Sequence, residues 1–310
     1  MNDQEIYVTC NVILPEFIIV KPAVILSIFT YLRREKKMII AISITLFFIV
    51  LRFTVTVFNF VSNPKLTRVN RHYTDLVSIL IPARNEAGNI LPLLQSIYVQ
   101  DYKNYEVIVY DDESTDKTYK VCSKFADTHG GFSIIKGDKL PDGWTGKNYA
   151  CHQLAKHAKG DYFLFLDADE TVKNGLVNSA VHRMKLYKLG LLSLFANQVM
   201  KTPGEKTTVP LLHYLLLNLL PVRLVFLSKN AAVSVACGQF MLFDADTYRE
   251  NWWHEIVKDK VVEDAAIMQQ VKSASCNGEV LLANGMITCR MYKSYGEAIN
   301  GFSKKCPRSI

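Results

Sequence analysis

Short β-rich runs alternate with amphipathic segments through the middle of the chain, and this alternation limits the possible folds more than any other feature. The runs are residues 76–81, 106–110, 132–135, 162–166 and 191–195. The amphipathic segments lie near residues 89–99, 116–127, 147–158 and 174–188. Such alternation is typical of successive βαβ units. It predicts an α/β domain with a Rossmann-like, mostly parallel sheet and helices on both faces.

Polar residues follow the first two runs, at the place where such sheets bind ligands, which is beyond the carboxyl ends of the strands. The first run leads into Pro82, Arg84 and Glu86, and the second into Asp111 and Asp112. An acidic residue at this position can accept hydrogen bonds from a base or a ribose. Two adjacent carboxylates are costly to desolvate without a function, so the pair indicates a binding site. Asp116, by contrast, is expected to cap the next helix.

The sharpest functional motif is Asp167-Ala168-Asp169, directly after the apolar run at residues 162–166. Both carboxylates can turn toward one cation, and a small set of oxygen ligands suits Mg²⁺ or Mn²⁺ bound to a diphosphate. The same spacing recurs in Asp244-Ala245-Asp246. Because that second motif opens a helical segment, we predict helix capping there instead of metal binding.

Two later features are less specific. Glu263 and Asp264 precede a helical pattern, and acids are common in the first turn of a helix, so a functional and a structural role fit equally well. Cys151 and His152 are neighbours in a predicted helix, where adjacent side chains point apart. We expect Cys151 in the core and His152 on the surface, an arrangement that disfavours a thiol nucleophile.

Residues 38–61 are long and apolar enough to cross a bilayer, with Arg52 the one charge, and they predict a transmembrane helix. The apolar stretch within residues 1–37 is broken by prolines and charges, which predicts a segment that lies in the membrane interface or spans weakly. Residues 62–75 are expected to form a basic linker. Basic residues flank the span on both sides, so anionic lipid head groups are favoured over nucleic acid as partners, and the orientation stays open.

The seven cysteines occur singly, with no CxxC pair and no zinc spacing, which indicates a reducing compartment. We therefore expect the protein at the cell membrane, with its catalytic domain on the cytoplasmic side. Residues 210–227 predict either a membrane-surface helix or an ordinary buried helix. Residues 304–310 are interpreted as a truncated tail.

Four motifs carry a family resemblance: VSILIPARNE (77–86), DDESTD (111–116), FLDADE (165–170) and VVEDAAI (261–267). In this order they closely resemble inverting glycosyltransferases of family 2, which have the GT-A fold. The resemblance extends over about residues 76–303. Within the family, residues 140–151, 237–248 and 289–305 are similar to the branch that glycosylates carotenoid acids and related hopanoid or polyisoprenoid lipids. The Gln-x-x-Arg-Trp motif of many polysaccharide synthases does not occur in the sequence, which disfavours processive synthesis.

The resemblance implies roles for individual residues. Asp112 would contact the uracil of a UDP-sugar, Asp167 the nucleotide side of the donor, and Asp169 a metal on the diphosphate. Asp167 is the second candidate metal ligand. Lys147 would add positive charge near the donor, and Asp264 would act as general base. The other expected donor residues are Pro82, Arg84, Glu86 and Asp111, and the expected acceptor or loop residues are Glu263, Gly238 and Gln239.

The implied function is transfer of a sugar, with glucose the first expectation, from a UDP-sugar to a lipid acceptor such as a carotenoid acid, with Mg²⁺ or Mn²⁺. A carboxylic acid is already ionised at neutral pH and needs no base, whereas an alcohol does. Alcohols of hopanoids, polyisoprenoids or glycerolipids are alternative acceptors. A nucleotidyltransferase is disfavoured because the first strand lacks a glycine-rich basic loop. A truncated, inactive membrane protein is the remaining alternative.

Overall fold

The computed structural model describes residues 22–305, so what is predicted for residues 1–21 and 306–310 lies outside the described residues. The chain divides into two compact units, of which the first ends at Arg52 and the second begins at Phe53. The second unit contains the whole of the predicted catalytic domain.

The first helix, α1 (Pro22–Ser62), is 41 residues long. Residues 22–37, expected as a separate segment, form the first part of this helix. Arg33–Ser62 is the one helix among the described residues with the length and composition of a membrane span. The predicted span at residues 38–61 falls inside it.

The strands of the second unit follow the predicted apolar runs and add several shorter ones. They are β1 (Val77–Ala83), β2 (Tyr105–Asp111), β3 (Phe132–Lys136), β4 (Tyr162–Leu166), β5 (Glu170–Val172), β6 (Leu189–Phe195), β7 (Asn197–Gln198), β8 (Phe240–Asp244), β9 (Asn277–Leu282) and β10 (Ile287–Cys289). The main sheet has the order β3-β2-β1-β4-β8-β6-β9. Its pairs are parallel except those of β8, which is antiparallel to β4 and β6. The predicted α/β class with a mostly parallel sheet is confirmed.

Helices cover both faces of this sheet, as the alternation predicts. They are α2 (Ile90–Tyr98), α3 (Thr118–Thr128), α4 (Gly146–His157), α5 (Leu176–Tyr187), α6 (Pro203–Leu219), α7 (Leu224–Leu227), α8 (Ala245–Asn251), α9 (Trp253–Ile256), α10 (Glu263–Ser273) and α11 (Tyr295–Lys305). Successive residues of β4 point to opposite sides, so Leu164 packs with α2 and α5 while Phe165 packs with α4 and α8. Two hydrophobic cores result, one on each face.

The segment at residues 62–75, predicted as a basic linker, packs along the domain. Leu66 is buried, and its N–H donates to the Leu282 carbonyl at the free edge of β9. Further along, the Tyr73 hydroxyl hydrogen-bonds to His182 of α5. A smaller sheet, β5-β10-β7, lies where β4 and β6 end. It pairs Cys289 of β10 with Glu170 of β5, immediately after the predicted metal motif.

Candidate active site

The loops after β1 and β2 bring the first two predicted clusters together. Arg84 Nη1 lies 3.3 Å from Asp112 Oδ2, and the Asp112 side chain is only 8% exposed. Asp111 is buried beside it, and its Oδ1 has no hydrogen-bond partner among the described residues. A Cβ placed on Gly146, at the start of α4, would lie 2.7 Å from Asp112 Oδ2. The absence of a side chain at Gly146 therefore lets α4 begin next to the Asp112 carboxylate.

Side chains brace these two loops against each other. Asn85, which has a positive φ of 58°, accepts a hydrogen bond from the Thr115 N–H. Asp116 accepts from the Thr118 N–H at the start of α3 and also from the Ala87 N–H after β1, although the N-cap position of α3 itself is Lys117. The Glu86 N–H donates to the Thr118 hydroxyl. The loop conformation around Arg84 and Asp112 is thus fixed by local contacts.

Lys147 connects the predicted metal motif to Glu263 at the start of α10. Its Nζ lies 2.9 Å from Asp167 Oδ1 and 3.1 Å from Glu263 Oε1. Burial opposes its charge, but the two carboxylates outweigh that effect and raise the pKa of Lys147 well above its usual value. Thr145 caps α4 by accepting from the Asn148 N–H, which sets the direction of the first turn that carries Lys147. Residues 147, 167 and 263 therefore form one charged group.

Asp264 faces the same group from α10. Its Oδ2 accepts a hydrogen bond from the Gly238 N–H at 3.0 Å, and its Oδ1 accepts from the Ala265 N–H. Burial, and then the charge of Glu263, raise its pKa. A Cβ on Gly238 would lie 3.1 Å from Lys147 Nζ, so a side chain there would crowd the charged group.

The second carboxylate of the metal motif is enclosed more deeply. Burial, and then the charge of Asp167, raise the pKa of Asp169, whose Oδ2 lies 3.4 Å from the Cys289 thiol. Glu170 is buried, and neither of its carboxylate oxygens has a hydrogen-bond partner among the described residues. Burial raises the pKa of Glu170 well above its usual value, and the charges of Asp167 and Asp169 act in the same direction. The end of β4 is therefore a strongly anionic environment.

The predicted residues meet at one edge of the sheet. Pro82, Lys147, Asp167, Gly238 and Glu263 line one small pocket, whose floor includes Phe165 and His254. Burial raises the pKa of Glu86, the Asn89 hydrogen bond opposes that rise, and the charges of Asp169 and Asp167 add to it. The loop after β1 therefore lies within electrostatic reach of the predicted metal motif. Gln239 is buried next to Gly238, and its Oε1 accepts from Gln198 of β7.

Of the sequence predictions for other residues, the one for Asp244 is confirmed and the one for His152 is wrong. Asp244 caps α8 by accepting from the Thr247 N–H and hydroxyl, as predicted. His152, expected on the surface, is buried, and that prediction is wrong. Its ring centroid lies 5.0 Å from that of Trp144 and 5.3 Å from that of Trp252. Helix α4 is covered by α9 as well as by the sheet, so two of its sides are buried.

Two groups at the site were not anticipated. Cys289 contacts Asp169, although the two are 120 residues apart in the chain. His254 Nδ1 and the Tyr248 hydroxyl form a hydrogen bond of 2.6 Å. Burial, and then the charges of Lys147 and His152, lower the pKa of His254 to about 3. The one sequence signal for Cys289 was its place at the start of the motif at residues 289–305. No spacing rule connects it to Asp169.

A comparison with known protein families identifies the family of this chain. The model of the family described as "Glycosyl transferase family 2" matches residues 78–252, which is more than half of the chain. The chain belongs to glycosyl transferase family 2. The matched range runs from β1 to the end of α8 and includes both metal-motif aspartates.

Curated relatives within family 2 are similar to most of this chain. The 4,4'-diaponeurosporenoate glycosyltransferase of Staphylococcus haemolyticus is 26% identical over 241 residues, which are 74% of this chain and 61% of the relative. The protein of the same name from Staphylococcus aureus strain USA300 is 28% identical over 221 residues, 70% of this chain and 56% of the relative. The chain thus spans about three fifths of the length of the curated relatives it matches.

Solved structures agree with the GT-A fold expected for family 2. The mannosyltransferase PcManGT from Pyrobaculum calidifontis, solved with GDP-Man and Mn²⁺, superimposes with a TM-score of 0.55 at 18% identity. That match covers 79% of this chain and 68% of the other. S. aureus TarS 1–349 with UDP-GlcNAc gives a TM-score of 0.50 at 17% identity, covering 72% and 60%. At these identities the similarity supports the fold and no finer property.

The residues after β4 fit the divalent cation expected for a family 2 site. No three His, Cys, Asp or Glu side chains converge as a ready-made metal site anywhere in the described residues 22–305. One or two carboxylates are nevertheless enough for Mg²⁺ or Mn²⁺ when a diphosphate and water supply the other oxygens. The unpartnered oxygens of Glu170 and the crowding of Asp167 with Asp169 mark a place where positive charge would be stabilising.

Proposed function

We propose that this protein is a membrane-associated inverting glycosyltransferase that moves a sugar, with glucose the expected one, from a UDP-sugar to a lipid acceptor. The observation that carries the proposal is the position of Lys147 between Asp167 and Glu263. Lys147 contacts Asp167, an expected donor residue, and Glu263, an expected acceptor residue, within one pocket. The sugar would therefore lie between the two carboxylate groups.

The donor's nucleotide would bind over the ends of β1 and β2. There Asp112, held by Arg84 and approached closely by Gly146, offers a buried carboxylate to the N–H of a uracil. Pro82 and Glu86 would border this region, and Asp111, buried directly before Asp112, would complete it. A UDP-GlcNAc complex of TarS and a GDP-Man complex of PcManGT are nucleotide-sugar-bound states of similar folds.

Asp169, with Asp167 as the second ligand, would hold Mg²⁺ or Mn²⁺, which neutralises the diphosphate leaving group when bound. Lys147, whose Nζ lies 2.9 Å from Asp167 Oδ1, would contribute positive charge beside the same diphosphate. Donor binding would draw Lys147 from Asp167 toward the phosphate oxygens, which compete for the ammonium.

Asp264 would act on the acceptor. In transfer to an alcohol, the acceptor oxygen bonds to the anomeric carbon as the carbon–diphosphate bond breaks, and Asp264 takes the hydroxyl proton. This single in-line displacement inverts the configuration. Gly238, through its N–H, holds Asp264 Oδ2 in place, while Glu263 and Gln239 would line the acceptor loop. The raised pKa of Asp264 makes it a stronger base than an exposed aspartate.

The names of the relatives support a carotenoid acid as acceptor, in carotenoid biosynthesis. The enclosed, proton-accepting Asp264 favours a second candidate acceptor, the hydroxyl of a hopanoid, polyisoprenoid or glycerolipid, because a carboxylate acceptor has no proton to remove. In both cases the acceptor is membrane-borne, which agrees with the candidate span in α1. The proposed side of the membrane for the catalytic domain is the cytoplasmic one, because the single, scattered cysteines are typical of a reducing compartment.

The test is to incubate membranes containing the full chain with labelled UDP-glucose, Mn²⁺ or Mg²⁺, and lipid extracts containing carotenoid acids or lipid alcohols. We expect metal-dependent transfer of label into the organic phase. Asp169→Asn should abolish it, whereas the control Asp246→Asn, on an exposed side chain of α8, should not. Transfer that persists in Asp169→Asn, or no transfer to any lipid, would contradict the proposal.

A further inference from the structure

Helix α6 exposes an apolar stripe in place of the polar one that a surface helix normally shows. Leu211, Tyr214, Leu215 and Leu219 are 57%, 60%, 48% and 51% exposed, and they recur at helical spacing along one side. From Lys206 to Phe243 the sequence has no acidic residue, while Lys206 and Lys229 are basic. An exposed apolar stripe of this kind is rare on a protein that contacts only water.

One end of α6 is fixed to the last turns of α1, within the second unit. Asn59 is buried, and its Nδ2 donates to the carbonyls of Leu217 and Leu220 at 2.7 and 2.8 Å. Its Oδ1 accepts from the Val222 N–H at 2.9 Å. This one amide therefore satisfies three backbone groups where α6 ends. Because Asn59 belongs to the candidate span Arg33–Ser62, the end of α6 is placed next to the end of that span.

The other end of α6 is fixed beside the active site. Glu205, in its first turn, accepts from Arg290 at 2.7 Å and is buried. Arg290 directly follows Cys289, whose thiol contacts Asp169. Helix α6 has 17 residues, and a rise of about 1.5 Å per residue gives it a length of about 25 Å. Its exposed stripe thus leads from the candidate span toward the catalytic carboxylates.

We infer that the apolar stripe of α6 lies in the head-group region of a lipid bilayer and sets the height of the active site above the membrane. The occupant is the bilayer, because Phe60 and Val61, which directly follow the Asn59 that holds the end of α6, are 85% and 75% exposed at the end of the candidate span. Basic residues and a tyrosine suit that depth. The delivery of a lipid acceptor along this surface rests on the proposed function, whereas the membrane contact itself does not.

The contact is tested with the full chain in vesicles of phosphatidylcholine and phosphatidylglycerol, with or without bromine on the acyl chains. Tyr214→Trp places a fluorophore on the stripe. Tyr119→Trp is the matched control, since Tyr119 is 40% exposed on α3, which packs on β3 at the opposite edge of the sheet from β9. The emission of Trp144, Trp252 and Trp253 in the unmodified chain is the baseline.

We expect brominated lipid to quench the added emission of Tyr214→Trp strongly and that of Tyr119→Trp weakly. Equal quenching of the two would overturn the inference. A second result would also overturn it: brominated lipid leaves the added emission of Tyr214→Trp unquenched, and that emission changes with protein concentration. This result would assign the stripe to a contact with a second copy of the chain.

A charge variant links the surface to catalysis. Leu211→Glu with Leu215→Glu should raise the KM for a vesicle-embedded acceptor by about tenfold or more, while the Kd for UDP-sugar and the activity on detergent-dispersed acceptor stay near those of the unmodified chain. Leu186→Glu, on a leucine of α5 that is 58% exposed, should leave all three unchanged. An equal loss in detergent would overturn the role of the stripe. Failure of the unmodified chain to bind UDP-sugar would instead contradict the proposed function and leave the quenching result standing.

Discussion

Replacing Asp264 by Asn separates the two candidate acceptors, because only an alcohol has a proton to lose. The substitution keeps the size of the side chain and removes its basicity. At present both carboxylate oxygens accept hydrogen bonds, Oδ2 from the Gly238 N–H and Oδ1 from the Ala265 N–H. An Asn amide has one oxygen, so its NH₂ would face one of these two N–H donors.

The expected losses follow from those contacts. For a carboxylate acceptor, only the lost hydrogen bond counts, which is worth about 1 kcal/mol and lowers kcat/KM by about fivefold. For an alcohol, the missing general base adds a further factor of about 100 to 10,000. The two acceptors should therefore differ by at least two orders of magnitude in their response to one substitution.

The pH dependence provides a second measurement. Burial and the Glu263 charge raise the pKa of Asp264, so its basic form is lost on acidification at a higher pH than that of an exposed aspartate. The kcat/KM for an alcohol should decrease as the pH is lowered below that raised pKa. This decrease at acidic pH should be missing from Asp264→Asn. The assay follows labelled sugar from the donor into each lipid, with Asp246→Asn as the off-site control. Equal losses on both acceptors would refute the assignment of Asp264 as base.

Three further outcomes are expected. Chelation of divalent cations should abolish transfer, and Mn²⁺ or Mg²⁺ should restore it in the unmodified chain but not in Asp169→Asn; restored transfer in that variant would remove Asp169 from the metal site. Gly146→Ala should weaken UDP binding in a calorimetric titration, because its Cβ would lie 2.7 Å from Asp112 Oδ2. The control is Gly143→Ala, at a position with no neighbour within 4 Å but with a positive φ. This control substitution should affect stability more than binding. Glu279→Ala should lower the free energy of unfolding by about 3–5 kcal/mol, since it leaves both Arg183, now 2.6 Å from the carboxylate, and Arg223 without their ion-pair partner; a thermal or denaturant unfolding curve that matches the unmodified chain would contradict this.

Local sequence patterns predicted the fold because each strand and helix is encoded by its own periodicity. The run at residues 162–166 coincides with β4, and the predicted helix at 147–158 differs from α4 by one residue at each end. Asp244 was recognisable as a cap because capping depends on residues within one turn. The prediction for His152 failed for the converse reason: it assumed one buried side on α4, and the packing of α9 on that helix buries a second.

The sequence by itself determined the α/β class, the family and the positions of the acidic clusters at strand ends, because these depend on short-range order along the chain. Tertiary structure alone decided that Lys147 contacts both Asp167 and Glu263, that Cys289 lies against Asp169, and that Asn59 fixes the end of α6. These contacts join residues that are far apart in the chain, and only the register of the sheet and the packing of its helices bring them within hydrogen-bond distance.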